Sequence, residues 1–299
     1  MKNPLFIIAG ALIALTLATG AATLSEIYSS QGHLIMAQLA SAPFPHPQRG
    51  QGREYKGQVY SAEKHYADST VAIFIPQGFR ETGRIDFVVH FHGWRNHVAQ
   101  VLPHYQLIEQ FTASRRNAVL VVPQGPYDAP DSFGGKLEDQ EGFGRFMQEV
   151  MATLRDKSPL TNRHAVLGNI ILSGHSGGYQ VISSILDHGG LSDHVKEVWL
   201  FDALYAYLDR FLAWFEKEHG RLLDLYTDHG GTKEETERLM GILKGRGVPF
   251  FAGKESEVTA SQLHQSQPIF LYTGLEHDAV IQGTRAFQRF LESSGLEKF

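Results

Sequence analysis

An α/β fold, with an eight-stranded, mostly parallel sheet flanked by helices on both faces, is what the 299 residues predict. Three observations predict it. Short β-rich runs alternate with amphipathic stretches of helical period, and no internal repeat or low-complexity tract interrupts them. The connections between the later runs are long enough for the helical crossovers that parallel strands require. The apolar run Asn169 to Leu172 leads through Ser173-Gly174-His175-Ser176-Gly177-Gly178 into a helical pattern, so a Gly-x-Ser-x-Gly pentapeptide sits at a strand-to-helix turn.

Residues 1–24 differ from everything after them. Lys2 is the only charge, and Pro4 to Leu24 is almost continuously apolar or small. The segment reads as an export signal or an N-terminal membrane anchor: Gly20, Ala21 and Ala22 suit a signal peptidase, yet about twenty uncharged residues also reach across a bilayer. Cleavage is preferred, which makes the protein periplasmic or extracellular, and residues 4–24 are the alternative membrane tether. Residues 25–56 read as a linker, because Ala40 to Gly57 is rich in Pro, Gly, Gln and Arg. The folded domain then spans 57–299.

Within it the expected strands are Gly57 to Ser61, Thr70 to Ile75, Asp86 to Phe91, Ala118 to Val122, Asn169 to Leu172, Glu197 to Phe201, Leu222 to Tyr226 and Pro268 to Tyr272. Short turns between the first three predict antiparallel pairing at one edge. Helical patterns at Phe143 to Leu154, Tyr179 to Leu186, Tyr205 to Glu218, Lys233 to Leu243 and Thr284 to Leu291 supply the outer layers. In such sheets chemistry collects at the carboxyl ends of the strands.

Composition removes several classes. Hydrophobic residues make up 42% and charged residues 20%, fitting one sizeable globular domain. A net charge of -5 without a dense Lys/Arg stripe excludes the electrostatic footprint of a nucleic-acid binder. With no cysteine, stability rests on the core, and thiol nucleophiles and thiolate zinc sites are excluded.

Ser176 is the candidate nucleophile. Serine is a poor nucleophile at neutral pH and needs a base in hydrogen-bond reach, itself oriented by a third group. His277 follows the last strand and is the last histidine in the chain, so it is the candidate base. Two aspartates compete for the acid. Asp202 closes the apolar strand Glu197 to Phe201, where a lone carboxylate is costly without a partner; Asp228 sits in a polar turn that holds aspartate for turn chemistry alone. Asp202 is preferred, and Asp278 is too close to His277 in sequence to orient it. Backbone N–H groups of Trp94, just past His92-Gly93 at the end of the third strand, and of Gly177 are the candidate oxyanion donors.

This ordered set, His92-Gly93, Gly174-His175-Ser176-Gly177-Gly178, Asp202 or Asp228, then His277, resembles the α/β-hydrolase superfamily over about residues 57–299. The resemblance implies an eight-stranded mixed sheet and serine hydrolysis with the order nucleophile, acid, histidine. In that family the acid most often follows the seventh strand, which is where Asp228 stands. The expected chemistry is two-step acyl transfer on a carboxylic ester or amide, with no cofactor. The loop 123–143 with Tyr127, Phe133 and Phe143, together with Tyr179, Tyr205 and Trp214, is the candidate pocket wall, although aromatic residues on amphipathic helices are more often core. Two rivals differ in kind. His90, His92 and His97 form an HxHxxxxH cluster that suggests a metal-dependent hydrolase, and a hydrolase-shaped binding protein of the cell envelope would carry the same fold without turnover.

Overall fold

The computed structural model describes residues 22–299; the expected targeting segment lies outside the described residues up to position 21. No helix among the described residues is long and apolar enough to cross a membrane. The described residues form eleven strands: β1 Gly32–Gln38, β2 Arg53–Tyr55, β3 Gln58–Tyr60, β4 Thr70–Pro76, β5 Arg84–Phe91, β6 Val119–Pro123, β7 Val166–His175, β8 Val195–Phe201, β9 Arg221–Thr227, β10 Phe251–Lys254 and β11 Ile269–Thr273. Nine of them build one sheet in the order β1-β4-β6-β5-β7-β8-β9-β11-β10. Only β4 runs against the others, antiparallel to β1 and β6. The antiparallel edge expected near the start of the chain is therefore present, but β4 pairs with β1 and β6 rather than with β5.

The strand count differs from eight for two reasons. The expected first strand, 57–61, pairs with β2 in a separate hairpin, and β1 and β10 join the main sheet instead. The strand β1 also corrects the reading of 25–56 as a linker. Leu34, Ile35, Ala37 and Leu39 are buried, and β1 pairs with the whole length of β4. Further on, Phe44 packs with Tyr60, Tyr66, Ala129 and Phe133. Arg49 and Arg53 reach the buried carboxylate of Asp131 at 2.7 and 2.5 Å, and the Tyr66 hydroxyl donates to it at 3.1 Å. Proline and arginine in this stretch are thus fixed contacts bracing the loop 123–143, not signs of a free tether.

Apolar side chains cover both faces of the sheet. On one side the helix Gly142–Lys157 places Phe143, Phe146, Met147 and Val150 against the strands, and the helices Gly178–His188 and Leu208–Glu218 lie on the same side. On the other, Ile108, Phe111, Phe287 and Phe290 pack on Val88, Ile171, Trp199 and Phe201. The parallel strands β5 to β9 are buried on both faces and read as near-continuous apolar runs. Their carboxyl ends converge on one rim.

A chain beginning at residue 43 lacks β1 and the burial of Leu34, Ile35 and Leu39, each worth about 1.5–3 kcal/mol. It is expected to melt well below a chain beginning at residue 22, or to aggregate along the newly exposed β4 edge. Equal melting temperatures for the two purified chains would show that β1 adds nothing to the fold.

Candidate active site

The strand β7 ends at His175, and the chain turns at Ser176 with φ +53° before entering the helix Gly178–His188. A non-glycine residue in the left-handed region costs about 1–3 kcal/mol and persists only where its surroundings enforce it. Here the Ser176 N–H donates to the Phe201 carbonyl at 3.2 Å, which pins the turn to the end of β8. Asp202, the first residue past β8, is also left-handed, with φ +46°. Ser176 is half-buried and Asp202 fully buried.

Asp202 meets His277. The imidazole Nδ1–H donates to Asp202 Oδ2 at 2.5 Å, while the Thr232 hydroxyl donates to Oδ1. The Asp202 N–H donates to the Leu225 carbonyl at 2.6 Å, tying the acid's backbone to β9. Asp228 lies elsewhere: it is at the surface, bonded by Lys233 and the Tyr272 hydroxyl at 2.7 Å each, which hold its carboxyl below the usual range. Of the two aspartates weighed from sequence, the structure brings only Asp202 to His277. His277 begins the short helical turn after β11, and its side chain is about a quarter exposed. Asp278 does not orient it; its carboxylate lies within 4.8 Å of ring nitrogens of His175 and His277.

The segment His92-Gly93-Trp94 packs directly on the serine turn. A Cβ at Gly93 would stand 2.5 Å from Ser176 Cβ and 3.0 Å from Oγ, so no larger residue fits. His92 shapes this approach: its Nδ1–H donates to the Gly93 carbonyl at 2.9 Å and its Nε2 accepts from the Gly125 N–H at 3.0 Å. The backbone N–H groups of Trp94 and Gly177 have no hydrogen-bond partner among the described residues. A Cβ on Gly177 would lie 2.8 Å from the Trp94 ring, so the two residues face each other beside Ser176. Gly177 also opens the helix Gly178–His188, where the macrodipole favours developing negative charge.

A cleft of about 210 Å³ opens here, lined by Trp94, Ser132, Ser176, Gly177, Tyr179 and Tyr205. The Trp94 indole donates to the Ser132 hydroxyl at 2.7 Å and packs edge-on against Tyr55. The Tyr205 hydroxyl donates to the Gly230 carbonyl at 2.6 Å and lies beside the Ser176 hydroxyl. Of the aromatics expected in the wall, Tyr179 and Tyr205 line it. Phe133, Phe143 and Trp214 are buried in the core, and Tyr127 stacks on His97. Ser132 was not singled out from the sequence, although the long loop that carries it was. A wider depression of about 440 Å³, lined by Thr82, Arg84, Asp86 and Asn117, lies at the opposite end of the strands and holds none of these groups.

The histidine cluster does not assemble. His90 Nδ1 pairs with the Ser173 hydroxyl at 2.9 Å, His92 is engaged as above, and His97 bonds Asp128 at 2.8 Å. Burial pushes His90 down to about 3 and His92 down to about 4, keeping both neutral. No trio from 90, 92 and 97 comes together as metal ligands among the described residues.

No protein-family model matches the chain, and no curated protein sequence does. Solved structures do resemble it. The feruloyl esterase module from Clostridium thermocellum, as an S954A mutant complexed with sinapinate, superposes with a TM-score of 0.53 at 9% identity, covering 88% of each chain. A structure described as FAE superposes with a TM-score of 0.53 at 10% identity over 90% of this chain and 92% of the other. A ferulic acid esterase gives 0.50 at 12% identity over 75% and 91%. The fold is that of the α/β-hydrolases.

One buried group beside the site titrates in an accessible range. Asp224 on β9 is fully buried; its Oδ2 accepts from Thr236 Oγ1 at 2.6 Å, and its Oδ1 has no partner among the described residues. Burial pushes its carboxyl up to about 7, with the Asp202 charge acting in the same direction and the Thr236 bond against it. Its pKa is raised in the folded state, so between about pH 4 and 7 the unfolded chain has lost a proton that the folded protein keeps. Stability therefore falls as pH rises through that window. Asp224→Asn is expected to melt near the parent at pH 5 and several degrees above it at pH 8. An identical offset at both pH values would refute the buried, proton-retaining state.

Proposed function

We propose that the protein is a serine hydrolase that cleaves carboxylic esters through an acyl-enzyme. The observation that carries the reading is the buried Asp202 carboxylate bonded to His277 Nδ1 at 2.5 Å, on the same rim as the left-handed Ser176 turn. In this mechanism His277 Nε2 takes the Ser176 hydroxyl proton as Oγ attacks the ester carbonyl carbon. Asp202 holds the imidazole in the tautomer with Nδ1 protonated and stabilises the imidazolium that forms. The carbonyl oxygen, now an anion, takes the N–H groups of Trp94 and Gly177. His277 then returns the proton to the departing alcohol, water enters, and the same sequence releases the acid and regenerates the serine.

Amide cleavage by the same groups is the finer alternative; the small, aromatic-sided cleft favours esters with a short or single-ring acyl group. The names of the solved structures, feruloyl and ferulic acid esterase, point to the same substrate class, at identities that speak for fold alone. The unpartnered N–H pair and the left-handed serine favour turnover over a binding role, since a scaffold has no use for either.

With p-nitrophenyl acetate and an aryl-acid ester as substrates, Ser176→Ala and Asp202→Asn are each expected to lower kcat by on the order of 10⁴-fold. Asp228→Asn is expected to stay within about twofold, since its partners are Lys233 and Tyr272. Full activity in Ser176→Ala would overturn the assignment, and loss in Asp228→Asn but not Asp202→Asn would move the acid.

Export remains part of the proposal on the strength of residues 1–24. Cleavage beside Gly20, Ala21 or Ala22 would leave the Thr23–Glu26 capping box intact. Intact mass of the protein recovered outside the cytoplasm is expected to correspond to a chain beginning at 21, 22 or 23, and a mass that includes residue 1 would speak for an anchor instead.

A further inference from the structure

We infer that His175, with Tyr105 and Gln110 behind it, is a positioning residue that fixes the His277 loop against the nucleophile's own strand. The inference rests on the roles given above to Ser176 and His277.

The topology creates the need. Ser176 follows β7 and His277 follows β11, and β8 and β9 lie between them in the sheet. No ladder bond therefore sets the height of the base relative to the nucleophile. The Asp202 bond fixes the ring through Nδ1, and the Thr227 hydroxyl holds the loop by donating to the Leu275 carbonyl at 2.8 Å. Both contacts come from the β8 and β9 side. From the β7 side the connection is His175, whose Nε2–H donates to the His277 main-chain carbonyl at 3.0 Å while its ring lies 4.6 Å from the His277 ring.

His175 is built to hold that bond. It is 1% exposed, and its Nδ1 accepts from the Tyr105 hydroxyl at 3.2 Å, which leaves the ring proton on Nε2, facing the carbonyl. Burial and repulsion from His277 keep the ring neutral, so it stays a donor when the neighbouring base takes a proton. Tyr105 is itself secured. Gln110, fully buried, donates to the Tyr105 carbonyl at 2.7 Å and to the Ile281 carbonyl at 3.3 Å, and its Oε1 accepts from the Gln288 N–H at 3.0 Å. The same side chain thus grips the support of His175 and the segment four residues beyond His277. A slip of the base by about 1 Å can cost on the order of 100-fold in rate without touching substrate binding. The role assigned to His175 is to prevent that slip.

The test compares His175→Phe, His175→Gln and Tyr105→Phe with the parent and with Ser176→Ala on p-nitrophenyl acetate, alongside thermal melts. His175→Phe removes the donor and is expected to lower kcat by about 10- to 100-fold with KM within about twofold. His175→Gln offers a side-chain N–H toward the same carbonyl and is expected to recover most of that loss. Tyr105→Phe frees Nδ1 and is expected to lower kcat several-fold in the same sense. Parent-like kcat in a folded His175→Phe protein, or a loss confined to KM, overturns the inference while an inactive Ser176→Ala leaves the assignment of the site standing. An active Ser176→Ala instead removes the reading on which the inference rests. If His175→Phe does not fold, Tyr105→Phe decides, and an unchanged kcat there counts against it.

Discussion

A carboxylate with no exposure to water organises this molecule. Asp202 ends a strand in the middle of the sheet, where an unpaired charge would cost several kcal/mol. Its two oxygens are taken by the Thr232 hydroxyl and the His277 ring, so the helix Lys233–Gly245 and the loop after β11 must both arrive at one point. Gly230 lies so close to the carboxylate that a side chain there would overlap it. The need to satisfy one buried anion thus brings together residues 202, 230, 232 and 277, and with them the ends of three strands. The imidazole acquires a fixed tautomer as part of the same solution. Stability and proposed chemistry depend on one set of contacts.

A second constraint is the crowding around the serine turn. The left-handed Ser176 and the left-handed Asp202 are two local departures from relaxed backbone, and Gly93 packs against the serine turn where no side chain fits. Each is enforced by neighbours rather than by its own preference. Beside them, the backbone N–H groups of Trp94 and Gly177, two residues that line the cleft, have no partner among the described residues. In the proposed reaction a developing oxyanion would be their partner.

How much of this was legible in the sequence follows from which forces are local. The strand-to-helix turn at Ser176 could be read because Gly-x-Ser-x-Gly sits between an apolar run and a helical period, all within a dozen residues. Asp202 could be preferred over Asp228 because an acid closing an apolar run needs a partner, whereas an acid in a polar turn does not. The strand Gly32–Gln38 was missed because it lies between an apolar terminal segment and a Pro-rich one, and its burial depends on β4, some forty residues away. Phe133 and Phe143, from their loop, and Trp214, from its helical stretch, were expected near the cleft, yet packing claimed all three for the core. His175 gave no separate signal, since its value lies in bonds to residues 105 and 277, which only the fold brings to it. The histidines at 90, 92 and 97 show the reverse case, where close spacing suggested a shared ligand and each ring proved to have its own partner.

The central claim, that Ser176 Oγ is the attacking atom and the rim around it is built for a tetrahedral oxyanion, is tested most directly by a crystal structure of the protein after reaction with a fluorophosphonate. The account predicts phosphorus bonded to Ser176 Oγ, the phosphoryl oxygen within about 3.1 Å of the Trp94 and Gly177 nitrogens, and His277 still bonded to Asp202. An unmodified Ser176, or an adduct whose phosphoryl oxygen turns toward solvent away from both nitrogens, would contradict it.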